Sequence, residues 1–387
     1  MPALHFFSHN QLTLLHNGEQ FHPALLGAIE NASSEIILET YIFSADDVGQ
    51  AIQRALQQAA QRGVLVYVIS DWHGTGRERI SSLRQSFATS GVSHRTFNPW
   101  FWHGLTRTHR KLCVIDQRIA FVGGMNLNSD YICDFDPEKK LSAPRWDFTA
   151  QIEGPLVHRI WLDTRVHWAR LGHISWIERL RLARQLKRSQ PLLPTRPPAA
   201  SFAVRDNWAN RNTIQRAYLQ ALGNARHSVW LATPYFAPGR KLRRALTKAA
   251  ERGVRVTLVL GTGQFALQDA VARAFYPRLL KSGVEVREYQ ISQLHGKVAV
   301  IDDDWATVGS SNCDGLSLFL NQEANLVIRD SDFADQLRQY IAAAAEISPR
   351  ISLRDFDQLP WYRRAWYEVA FWGYLGLMRL VTWGEYT

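Results

Sequence analysis

Apolar positions alternate between two spacings along this chain. Val48, Ile52, Ala55, Leu56 and Ala59 recur at three- and four-residue steps, which places them on one face of a helix. Directly downstream, Gly63-Val-Leu-Val-Tyr-Val-Ile69 is rich in the β-branched residues that suit a strand. Gly63 stands where a helix commonly closes, because glycine enters the left-handed region freely. The same succession returns later. Glu251-Arg-Gly253-Val-Arg-Val-Thr-Leu-Val259 parallels Gln61-Arg-Gly63-Val-Leu-Val-Tyr-Val-Ile69, and Ser228-Val-Trp-Leu-Ala-Thr-Pro-Tyr-Phe236 parallels Glu35-Ile-Ile-Leu-Glu-Thr-Tyr-Ile-Phe43. Each half reads helix, strand, helix, strand and a further motif strand. This alternation predicts an α/β fold built twice, each copy a mixed β-sheet flanked by helices.

The repeat is sharpest in two stretches. His109-Arg-Lys111-Leu-Cys-Val-Ile-Asp116 is followed by Gly123-Gly-Met-Asn126, and His295-Gly-Lys297-Val-Ala-Val-Ile-Asp302 by Gly309-Ser-Ser-Asn312. One offset relates His109 to His295, Lys111 to Lys297, Asp116 to Asp302, Gly123 to Gly309 and Asn126 to Asn312. On a strand, alternate side chains share a face, so each His and its Lys are expected to point the same way. A turn is expected at each Asp. The small residues Gly123, Gly124, Gly309 and Ser310 would let a ligand approach the backbone closely. Imidazole, ammonium and amide on one surface suit an anion. Lysine neutralises phosphate oxygens, Asn donates hydrogen bonds, and His attacks phosphorus or moves a proton. Two copies allow one histidine to be the nucleophile and the other the acid.

Composition bounds the setting. A chain of 387 residues with 46% apolar content has room for two or three domains and is not disordered as a whole. Three cysteines, Cys113, Cys133 and Cys313, are too few for a disulfide scaffold, and the simple reading is a reduced, cytoplasmic setting. The opening residues lack the pattern of a secretory signal. A net charge of +10 and a pI near 9.7 favour polyanionic partners, either nucleic acid or anionic lipid. A basic stretch, Arg179–Arg188, followed by Pro191-Leu-Leu-Pro-Thr-Arg-Pro-Pro198, marks a junction, because proline breaks regular helix. The expected plan is a first domain over 1–178, a linker over 179–200, a second domain over 201–350 and an aromatic segment over 351–387. That last segment runs from Trp361 to Trp383 with Arg363, Arg364 and Arg379, a composition suited to a helix lying in a membrane interface. No segment offers ~20 uninterrupted apolar residues, so a spanning helix is not expected. Phe97-Asn-Pro-Trp-Phe-Trp102, just before the first motif, reads either as an apolar rim at the site mouth or as a packed loop.

The paired His-x-Lys-x4-Asp-x6-Gly-Gly/Ser-x-Asn motifs resemble those of the phospholipase D superfamily. Gly18-Glu-Gln-Phe-His-Pro-Ala-Leu25, Ile37–Phe43, Thr233–Phe236 and the first motif are most similar to the bacterial cardiolipin synthases, in the shorter synthase-B-like branch. The likeness runs from about residue 11 to residue 350. It implies two phospholipase-D-like domains related by a pseudo-twofold axis, with both motifs in one active site. It further implies that His109 and His295 flank phosphorus, and that Lys111, Lys297, Asn126 and Asn312 hold its nonbridging oxygens. Glu323 and Asp147 would be the carboxylates that orient the histidines, with an insertion near Ser129 to Ala143 lengthening the first copy. Asp116 and Asp302 would be structural.

The implied activity is phosphatidyl transfer through a phosphohistidine, making cardiolipin with phosphatidylglycerol as acceptor. The donor would be phosphatidylglycerol or phosphatidylethanolamine. Either histidine of the repeat could attack; His109 as nucleophile and His295 as acid is the preferred assignment. No cofactor and no metal is expected, nor an obligate protein partner. The expected partners are anionic phospholipid and a membrane surface, on the cytoplasmic face of the cell membrane, without nucleic acid. The rival reading is a phosphodiesterase or nuclease, since DNA is also a phosphodiester. Intact His, Lys and Asn in both copies argue against a non-catalytic scaffold.

Overall fold

The computed structural model describes residues 4–101, 104–134, 136–172, 175–189 and 197–382. Trp102 of the expected rim, most of the Pro-rich linker and the last residues of the aromatic segment lie outside them. Two mixed sheets carry the fold. In the first, the strands lie in the order Gln11–His16, Phe148–Glu153, Ile119–Gly123, Leu112–Ile115, Glu35–Thr40, Leu65–Asp71 and Ser93–Phe97. In the second, the order is Ala199–Arg205, Glu323–Arg329, Trp305–Gly309, Lys297–Ile301, Ser228–Thr233, Arg255–Gly261 and Glu285–Tyr289, with the short strands Phe7–Ser8 and Arg350–Ile351 at the two edges. The last three strands of each seven run parallel, and the others pair antiparallel. The architecture is thus one α/β unit made twice, as the repeat predicts. Phe7–Ser8 pairs with Ala199 and Ala200, so the opening strand of the chain belongs to the second sheet rather than the first.

The helices form where the apolar spacing places them. Asp47–Gln61 buries Ile52, Ala55, Leu56 and Ala59, and the Asp46 carboxylate caps it by accepting from the Gly49 N–H at 2.9 Å. Gly63 and Gly253 close the equivalent helices with φ of +92° and +89°. Inner faces of the two sheets share one core, in which Val114, Val122, Phe148 and Ile152 join Val298, Val300, Val308 and Leu326. Helices cover the outer faces over two further cores. Burying both faces is what makes the strands read as nearly continuous apolar runs.

Each motif Asp sits in the turn after its strand, at φ of +52° (Asp116) and +53° (Asp302), a conformation that Asp tolerates better than most residues. Asp116 accepts from the backbone N–H of Ser33, Ser34 and Glu35. Asp302 does the same for Arg226, His227 and Ser228. Both carboxylates therefore tie the motif turn to the start of the neighbouring strand. Those bonds hold Asp116 well below the usual carboxylate range, against a desolvation that acts the other way.

The basic junction forms the helix Trp176–Arg188, capped by the Ser175 hydroxyl. Phe97 is buried with Ile69 and Trp168 instead of forming a rim, while Trp100 is exposed against Trp72 and Arg77. Asn98 causes the difference: its side-chain amide donates to the Gly104 and Thr106 carbonyls and folds this loop inward. The aromatic segment forms the helix Trp361–Val381. Its inner face buries Tyr367, Ala370 and Met378, and Phe371 packs edge-on to Phe275 of helix Ala266–Lys281. Its outer face leaves Trp361 75%, Trp372 60% and Leu380 82% exposed. Among the described residues, no helix is long and apolar enough to cross a membrane.

Candidate active site

The two motifs are sewn to each other by backbone hydrogen bonds. His109 N–H donates to the Gln322 carbonyl at 2.9 Å, and Gln322 N–H donates to the Arg107 carbonyl at 2.8 Å. In the reciprocal contact, His295 N–H donates to the Trp146 carbonyl at 2.9 Å, and Trp146 N–H donates to the Gln293 carbonyl at 3.0 Å. Gln322 precedes Glu323, and Trp146 precedes Asp147. Each half thus delivers a carboxylate to the histidine of the other.

These contacts take the histidines off the strands. The strand Leu112–Ile115 begins beyond Lys111, and Lys297–Ile301 begins at Lys297. Strict alternation is therefore not what aligns each His with its Lys. Instead each ammonium folds back on its own motif: Lys111 Nζ donates to the His109 carbonyl at 2.8 Å, and Lys297 Nζ donates to the His295 carbonyl.

The imidazoles are held at Nδ1. His109 Nδ1 lies 2.9 Å from the Ser310 carbonyl and 3.1 Å from Glu323 Oε2. A carbonyl only accepts, so Nδ1 carries the proton and Nε2 is the nitrogen left for chemistry. His295 Nδ1 lies 2.6 Å from Asp147 Oδ2, which sets its ring in the same sense. Tyr41 packs edge-on to the His109 ring at 4.9 Å and lies beneath the Lys111 ammonium. Asn126 and Asn312 are buried, and among the described residues the Asn126 amide NH2 and the Asn312 carbonyl oxygen have no hydrogen-bond partner. Buried, unpaired polar atoms of this kind are costly unless something binds them.

A family model described as cardiolipin synthase, PLD-like domain, matches residues 25–154 and 218–344, one match on each half of this arrangement. The chain belongs to this phospholipase-D-like family. Cardiolipin synthase B of Salmonella typhi is 41% identical over 339 residues, covering 85% of this chain and 79% of its own. Cardiolipin synthase B of Escherichia coli K12 is 38% identical over 372 residues, covering 93% of this chain and 86% of its own. Among solved structures, phosphatidylserine synthase of Haemophilus influenzae superposes with a TM-score of 0.72 at 15% identity, over 98% of this chain and 96% of that one. That likeness is one of fold.

Charge in this phospholipase-D-like centre is concentrated and buried. Burial pushes the His109 imidazole down, with Glu323 acting against it. Burial and the nearby Lys297 push His295 well below its usual value, with Asp134 acting against them. Burial pushes Lys111 down to about 8 and Lys297 to about 7. The Lys111 charge acts on both Lys297 and His295, so the two motifs make one electrostatic unit.

The small residues are packed closely against protein groups. A Cβ on Gly124 would fall 2.2 Å from Asp147 Oδ1, and one on Gly309 would fall 2.3 Å from the Asn325 side chain. A Cβ on Gly123 would meet Thr149. Ser310 donates its hydroxyl to Glu323 and accepts from the Ala324 N–H. These positions make room for protein groups, the Asp147 carboxylate at Gly124 among them.

Four site-flanking residues escaped the sequence reading. Arg110, between His109 and Lys111, is buried and pairs with Glu39 at 3.1 Å and Asp163 at 2.7 Å. Its counterpart Gly296 instead faces the Trp146 ring. Glu39 also lies 3.1 Å from His167. A carboxylate inside the apolar strand Glu35–Thr40 was the available signal, since such a group needs a buried cation. Asp134 and Arg145 are paired at 3.0 Å and lie in or beside the insertion. The second copy has no equivalent of that segment, so comparing the halves is silent about it.

Proposed function

We propose that this protein is a phosphatidyltransferase that makes cardiolipin, with phosphatidylglycerol as acceptor and a second phosphatidylglycerol as donor. The observation that carries the reading is the crossed pair His109–Glu323 and His295–Asp147, with the ammonium of Lys111 or Lys297 held at the carbonyl of each histidine. His109 Nε2 attacks phosphorus, and the bond to the leaving glycerol oxygen breaks as His295, which takes up a proton once the anionic phosphodiester lies beside it, gives that oxygen its proton. A hydroxyl of the acceptor then loses its proton to His295, and its oxygen attacks phosphorus, breaking the phosphorus–nitrogen bond. Lys111, Lys297, Asn126 and Asn312 supply fixed positive potential where charge builds on the equatorial oxygens. The exposed aromatic face of helix Trp361–Val381 lies in the headgroup layer on the cytoplasmic side, with the basic helix Trp176–Arg188 as a second contact.

The deciding assay offers the purified protein phosphatidylglycerol vesicles and, separately, single-stranded DNA. Cardiolipin as product supports the proposal. Phosphatidic acid alone identifies a hydrolase, and DNA fragments identify a nuclease. His109→Ala and His295→Ala must each remove the product.

A further inference from the structure

The hairpin formed by Ile132–Cys133 and Asp136–Lys140 carries a carboxylate into the centre just described. Asp134 has a side chain only 1% exposed. Asn128 donates to its Oδ1 at 2.7 Å, and Arg145 pairs with that oxygen at 3.0 Å. Oδ2 accepts no hydrogen bond from the described residues and faces His295 Nε2 at 3.5 Å. That nitrogen is the reactive one, because Nδ1 is engaged by Asp147. The Asp134 charge also acts on Lys111 and Lys297. A full negative charge therefore rests beside a reactive nitrogen and both motif ammoniums.

We infer that Asp134 is a resident anion which occupies the place of the substrate phosphate and is displaced when a phosphodiester binds. The inference rests on the phosphotransfer reading of the His295 site. Two charges of one sign cannot share a dry pocket cheaply, so phosphate and carboxylate exclude each other there. In the resting protein, Asp134 offsets the repulsion between Lys111 and Lys297 and works against the burial that disfavours charge on His295. An arriving phosphate takes over both tasks while Asp134 leaves with its hairpin. Asp134 thus sets how strongly an anion must bind to enter, and it touches the anion's place without taking part in bond making.

Inorganic phosphate is the probe, with binding followed by titration calorimetry. Asp134→Asn keeps the shape and removes the charge, and phosphate should bind at least tenfold more tightly than to the wild type. Equal or weaker binding overturns the inference. His295→Ala should weaken phosphate binding in either background; if it does not, the reading of the site itself fails, and the two failures are thereby distinct. A second measurement needs no substitution. Cys133, next to Asp134, is partly exposed, whereas Cys113 and Cys313 are buried. Saturating phosphate should change the rate of maleimide labelling at Cys133 of the wild type at least threefold. An unchanged rate means the hairpin does not move, which overturns the displacement.

Discussion

Glu323 orients His109 from the opposite half of the chain, across 214 residues of sequence and 3.1 Å of space. Asp147 does the same for His295 across 148 residues. A carboxylate in this position sets the tautomer and stabilises the imidazolium.

Removing either orienting charge should therefore slow turnover more than it weakens binding. Glu323→Gln is expected to lower kcat by on the order of 100-fold, within the range for general acid–base groups, with KM changed far less. A fall confined to KM would place Glu323 in substrate binding instead. Gly124→Ala reaches Asp147 by another route, since the added Cβ would meet its carboxylate at 2.2 Å. It should lower kcat in the same sense as Asp147→Asn, and the two should combine less than additively.

The pH profile should follow the lysines. Lys297 and Lys111 are pushed down to about 7 and about 8 by burial. Above those values the free enzyme loses positive charge at the proposed phosphate site, so kcat/KM should fall as pH rises through 7 to 8. Lys297→Arg keeps its charge at all working pH and should move that limb upward. A limb that stays in place assigns it to another group.

Stability at low pH should report the motif turn. Asp116 has a folded-state pKa below its unfolded one, so its contribution is present above the ordinary carboxylate range and is lost as pH falls beneath it. Asp116→Asn should lower the melting temperature at pH 7, and the difference from wild type should shrink as pH drops below about 4. A constant difference would mean that the effect is not electrostatic.

Arg110→Ala leaves Glu39 and Asp163 buried without their cation. Breaking a buried pair from one side costs about 3–5 kcal/mol, so this variant should be among the least stable. Urea unfolding measures it, and a loss under about 1 kcal/mol would show that water or His167 replaces the guanidinium.

Membrane binding is best tested on the outer face of the last helix. Its inner face packs on helix Ala266–Lys281, so deletion from Trp361 onward would also uncover Phe275. Trp361→Ser, Trp366→Ser and Trp372→Ser together should lower vesicle partitioning on the order of 1000-fold, taking about 1.5 kcal/mol per buried aromatic. The melting temperature should hold, because these side chains are exposed. Unchanged sedimentation with vesicles would move the anchor elsewhere.

Much of this was legible in the residues. Helix Asp47–Gln61 and strand Leu65–Asp71 follow from spacing alone, and the constant offset between motifs foretold two copies of one sheet. What escaped depended on contacts across halves. Nothing local shows that Glu323 belongs to His109 and not to His295, because periodicity describes one element at a time. Phe97 read as a rim candidate because its inward turn depends on bonds that Asn98 makes several residues away. Gly124 read as ligand space because the Asp147 carboxylate arrives from a distant strand.

The hairpin bearing Asp134 also says something about why one chain should contain both copies. In a symmetric pair of identical subunits, any segment grafted beside one histidine is grafted beside the other. Covalent tandem duplication lifts that constraint. One copy keeps the short passage between Asn312 and Glu323, while its twin acquires an appendage that reaches a single ring nitrogen. The two imidazoles can then specialise, one for bonding and one for protons, along a lineage where strict symmetry would have kept them interchangeable.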